Sequence, residues 1–97
     1  MGFVEVCNVS DVQLGKGMSV EASGIQIALF NSNGKFYAIQ GICPHRGGPL
    51  GEGELQDTTV TCPLHAWQFD VTTGNGMAKI QTFPVKVENG KVLVDVQ

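Results

Sequence analysis

Residues 43–69 read Cys43-Pro44-His45-Arg46-Gly47-Gly48-Pro49-Leu50-Gly51-Glu52-Gly53-Glu54-Leu55-Gln56-Asp57-Thr58-Thr59-Val60-Thr61-Cys62-Pro63-Leu64-His65-Ala66-Trp67-Gln68-Phe69. Two short segments in this stretch each offer one thiol and one imidazole, Cys43 with His45 and Cys62 with His65. The chain has 2 His in all, and each sits within three residues of a Cys in a segment shaped by Pro and Gly. Chance placement of a small buried thiol and a satisfied imidazole is the bland account. The coincidence of both histidines with both segments favours a metal site.

The ligand set then bears on which metal. Zinc accepts two Cys and two His, but its usual arrangements take a Cys pair from one knuckle and a His pair from a helix. Here each segment supplies one of each. Two facing loops of that kind can put both sulfurs on one side and both nitrogens on the other, which suits a [2Fe–2S] cluster with chemically different irons. A zinc-stabilised interaction module keeps the same four residues and stays open as an alternative.

The sequence around this stretch reads as β-structure. Phe3 to Cys7, Met18 to Ala22, Ile25 to Phe30, Lys35 to Ile39, Phe83 to Glu88 and Lys91 to Val96 carry β-rich or alternating patterns. Ser23-Gly24, Asn33-Gly34 and Asn89-Gly90 separate them, the last two being strong hairpin dipeptides. One helical turn is expected near Ser10-Asp11, ending by Gly15. Segment 41–80 holds three of the 4 Pro and both His, so it reads as a loop-built insertion between β-rich ends. The expected organisation is a single domain over 1–97, with a base formed by 1–40 and 81–97 and a metal-binding subdomain at about 41–80.

Composition narrows the function. At 97 residues the chain is too short for a two-domain enzyme with an interdomain cleft. Its core is modest, so a bound metal can add materially to stability. Charged residues are 15% and there are 13 Gly, which favours turn-rich β-structure over a helical bundle. A net charge of -3 and the absence of any run of basic residues argue against a nucleic-acid partner. The apolar run Ile27 to Phe30 is far short of a membrane span, so no membrane partner is expected. Three Cys are too few for a disulfide framework and suit a reducing cytoplasm. No Ser-His-Asp set, phosphate loop or dinucleotide fingerprint is present, so the chain is expected not to be an enzyme by itself.

The pattern C-x-H, sixteen intervening residues, then C-x₂-H resembles the signature of Rieske-type [2Fe–2S] ferredoxins, the ferredoxin components of bacterial multicomponent oxygenases. The likeness extends through CPHRGGPLGEGEL and CPLHAWQFDVTTGNG to the closing FPVKVENGKVLVDV. It implies an all-β fold of three antiparallel sheets with the cluster loops at one tip. It also implies that Cys43 and Cys62 hold the inner iron, and His45 and His65 the outer iron. By the same resemblance the chain works between a flavoprotein reductase and a terminal oxygenase; it is expected to be a monomeric, cytoplasmic one-electron carrier, since four protein ligands leave no position for a substrate. The small subunit of an assimilatory NAD(P)H nitrite reductase shares CPHRGGPL and the FPVKV tail and is the nearest alternative. Respiratory members of the family carry a further Cys in each loop and hydroxyl donors after the second His. This chain has Gly48, Leu64, Trp67 and Phe69 there.

Several neighbours have two expected readings. Gly47, Gly48 and Gly51 serve turns or admit backbone close to the cluster sulfides. Trp67 and Phe69 pack the core or shield the cluster. Arg46 and the acidic Glu52, Glu54 and Asp57 are solvated charges or docking determinants. Cys7 is expected to be a buried structural thiol.

Overall fold

The computed structural model describes residues 2–43, 47–64, 67–76 and 78–96. Ten strands are found among them: β1 (Phe3–Asn8), β2 (Gly17–Ala22), β3 (Ile25–Ser32), β4 (Lys35–Gln40), β5 (Glu54–Gln56), β6 (Thr59–Thr61), β7 (Gln68–Asp70), β8 (Thr82–Phe83), β9 (Val85–Glu88) and β10 (Lys91–Asp95). They form three antiparallel sheets, ordered β1-β10-β9, β2-β3-β4-β8 and β5-β6-β7. The expected all-β fold of three sheets is the one observed.

Strand β3 explains the layering. Its residues Ile27 to Ser32 are all buried, a run that only a strand covered on both faces can carry. Alternation then divides its side chains between two cores. Ile27 and Leu29 pack with Val12, Ala22, Ala38, Phe83, Val92 and Val94, next to the β1-β10-β9 sheet. Ala28 and Phe30 pack with Ile39, Leu50, Val60, Phe69, Val71, Ile80 and both Cys43 and Cys62. The four-stranded sheet is thus a middle layer, with segment 41–80 on one face and the paired chain ends on the other.

The turns follow their residue types. Asn33-Gly34 and Asn89-Gly90 both take positive φ at each position, 56° and 88° and then 52° and 77°, as two-residue turns between twisted strands require. The expected helical turn is a 3₁₀ turn at Val9–Asp11, where the Asn8 backbone N–H donates to the Asp11 carboxylate at 2.9 Å. Two expectations change. Phe83 to Glu88 is not one strand, because Pro84 lacks an N–H and the chain there leaves the middle sheet for the base sheet. Cys7 is only half-buried, on edge strand β1 just past a bulge between Glu5 and Cys7. Partial burial, reinforced by Asp11, raises its pKa and keeps it a neutral thiol at physiological pH.

Two polar side chains at the end of β3 are buried and both are satisfied. Asn31 Nδ2 donates to the Val12 carbonyl at 3.0 Å, and Asn31 Oδ1 accepts from the Gly34 N–H at 2.9 Å. Ser32 Oγ donates to the Asp57 carbonyl at 2.6 Å, tying the β5–β6 turn to the middle sheet. Replacing Asn31 by alanine removes both of its bonds and strands a buried carbonyl. The expected cost is about 2–3 kcal/mol, read as a lower urea midpoint at unchanged slope. A midpoint equal to wild type means water replaces the amide at no cost.

Candidate metal centre

The first loop leaves β4 and returns to the 3₁₀ turn Leu50–Glu52. Its base is fastened to the middle sheet, since the Gly41 N–H donates to the Gln26 carbonyl and the Leu50 N–H to the Gly41 carbonyl, both at 2.9 Å. An Ile42–Pro49 bridge continues the closure. Above it the Cys43 N–H donates to the Gly48 carbonyl and the Gly47 N–H to the Cys43 carbonyl, both at 2.8 Å. The loop from 43 to 48 is therefore shut at its neck by its own backbone. Gly47 turns the chain with φ 74°.

The second loop connects β6 to β7 and is shut in the same way, the Cys62 N–H donating to the Trp67 carbonyl at 2.7 Å. So each Cys stands at the neck of a closed loop, one rooted in the middle sheet and the other in the small β5-β6-β7 sheet. Cys43 is 1% and Cys62 2% exposed, and both belong to one buried cluster with Leu50, Val60 and Phe69. Neither forms a disulfide. His45 and His65, with Pro44 and Arg46, lie outside the described residues.

Gly48 shows how closely the loops approach. A Cβ built on it falls 2.7 Å from Cys62 Sγ, so only glycine lets the first loop lie against the sulfur of the second. Gly51 also marks a close approach, but to the base: a Cβ there falls 2.6 Å from the Ser19 N in β2. Phe69 is buried in the wall of the sulfur-bearing core, and Trp67 packs against it with ring centroids 6.3 Å apart. Glu52, Glu54 and Asp57 are all exposed, and Asp57 occupies the β5–β6 turn with φ 55°. Leu50 and Ser32 also shape the site, and sequence reasoning did not single them out. Their neighbours in sequence give no sign of the tertiary contacts they make.

Two buried sulfurs from two closed loops, with glycine-sized clearance at one of them, are what an iron–sulfur cluster needs. The sequence model of the Rieske [2Fe-2S] domain matches residues 2–89. The chain belongs to this family. As a Rieske protein it binds one [2Fe–2S] cluster. The 3-phenylpropionate/cinnamic acid dioxygenase ferredoxin subunit of Escherichia coli (strain K12) is 39% identical over 102 residues, covering 99% of this chain and 95% of that one. A chain of the complex of reduced oxygenase and oxidized ferredoxin in carbazole 1,9a-dioxygenase superposes with TM-score 0.86 at 32% identity, covering 95% of this chain and 91% of that one. The putative NADH-dependent nitrite reductase small subunit from Mycobacterium tuberculosis gives TM-score 0.87 at 22% identity over 96% and 93% of the two chains, a likeness of fold alone. The chemistry a Rieske cluster supplies is the gain and loss of one electron.

Proposed function

We propose that Cys43 and Cys62 hold one iron of the cluster and His45 and His65 the other, and that the chain carries single electrons from a flavoprotein reductase to a terminal oxygenase. The observation that carries this reading is the pair of buried cysteines at the necks of two closed loops, each loop holding one of the two histidines of the sequence. With four protein ligands no coordination position is left for a substrate, so storing and passing an electron is the chemistry that remains. The oxygenase pathway is favoured over the nitrite reductase one because the ferredoxin relatives share far more sequence than the nitrite reductase subunit does. We place the protein in the cytoplasm as a single-domain monomer, with 41–80 as the cluster-binding subdomain on a base of 1–40 and 81–97. No helix among the described residues is long and apolar enough to cross a membrane.

The test is EPR of the dithionite-reduced protein together with iron, sulfide and zinc analysis. About two irons per chain and a paramagnetic signal on reduction are expected, both lost on Cys43→Ser or His65→Ala. A colourless protein holding one zinc overturns the ligand assignment. The midpoint potential is expected in the lower part of the range of roughly −150 to +300 mV, below 0 mV. The reason is the surroundings of the sulfurs: Gly48 and Leu64 are apolar, and Phe69 offers no hydroxyl to stabilise the added negative charge. A titration giving a midpoint well above 0 mV contradicts this account.

A further inference from the structure

Leu64 sits in the second loop between Pro63 and the proposed ligand His65, and 61% of its surface is exposed. A lone exposed leucine calls for no explanation by itself. What sets this one apart is where the rest of it lies. The Cβ position on Gly48 that falls 2.7 Å from Cys62 Sγ also falls 3.2 Å from Leu64 Cγ and 3.3 Å from Leu64 Cδ1. The isobutyl group and the sulfur therefore flank the same glycine across the gap between the two loops. Cys62 is 2% exposed beside a side chain that is largely in solvent.

We infer that Leu64 is a positioning residue that closes the metal site over the Cys62 sulfur, excluding water and small solutes from it. This rests on the ligand assignment proposed above. Two consequences follow from the exclusion. A thiolate–iron bond behind an apolar cover is shielded from protons and chelators, so the bound iron leaves slowly. Reduction adds a negative charge, and a site kept dry stabilises that charge less than a wet one, so the cover holds the potential down.

Leu64→Ala opens the cover and Leu64→Met keeps its bulk. Ile42→Ala, on the first loop, removes an exposed apolar side chain that is not among the atoms nearest the Gly48 Cβ position. Two readings are taken on the loaded protein: the rate at which a chelator bleaches it and the midpoint potential. The alanine variant is expected to bleach roughly tenfold faster, with a higher midpoint. The methionine variant and Ile42→Ala are expected to stay close to wild type. A loaded Leu64→Ala protein that matches wild type in both overturns the cover, as does an equal effect from Ile42→Ala. A wild-type protein with no signal on reduction sinks the ligand assignment, and the cover falls with it.

Discussion

Gly48→Val gives a folded protein that holds no iron–sulfur cluster. The reason is local. Gly48 is buried, its carbonyl accepts the Cys43 N–H at 2.8 Å, and a Cβ at its position lies 2.7 Å from Cys62 Sγ. No real Cβ approaches a sulfur that closely, so one of the two must move. If the backbone moves, the bond that shuts the first loop is lost and Cys43 leaves its place. If the sulfur moves, Cys62 turns from the direction the cluster requires. A branched side chain also collides with Leu64, at 3.2 Å from the Cγ, which removes the second way out. Gly48 lies outside the strands of the middle and base sheets, so the β-sheet circular dichroism is expected to remain. Iron and sulfide per chain are expected to fall by roughly tenfold or more for valine, with alanine in between. A valine variant with wild-type iron content shows that the loops part easily at this point.

The same stretch shows how far residues alone reach. The four proposed ligands stand out because their chemistry is local: a Cys and a His a few positions apart in a turn, twice. The apolar run in β3 and the turns at Asn33-Gly34 and Asn89-Gly90 are legible for the same reason, each needing only its neighbours. What lies beyond that reach depends on partners distant in the chain. Strands β5, β6 and β7 are three residues each, with a single apolar centre at Leu55, Val60 and Phe69, too short for a period to show. The switch of sheets at Pro84 and the role of Ser32 as a tie to the Asp57 turn are equally invisible, because each is decided by what packs opposite. Gly48 was open to two readings, turn or close approach. The structure separates it from Gly47, which turns, and from Gly51, which meets the base and not the site.

Removing the metal is expected to loosen the small sheet and leave the base intact. The two cysteines belong to different layers, Cys43 rising from the middle sheet and Cys62 from β6, so a cluster held by both fastens one layer to the other. Without it the β5-β6-β7 sheet has three-residue strands, few buried side chains of its own, the Ser32–Asp57 hydrogen bond and the anchor of Leu50 and Gly51. That is little to offset the entropy of ordering the segment. The base differs: β3 is buried on both faces, and β1 and β10 join the chain ends across five register pairs. Amide hydrogen exchange of the demetallated protein should show protection in 54–70 falling on the order of a hundredfold, with Ile27, Leu29, Val92 and Val94 close to the loaded protein. Equal loss across both regions means the molecule unfolds as one unit, and unchanged protection in 54–70 means the small sheet stands without the metal.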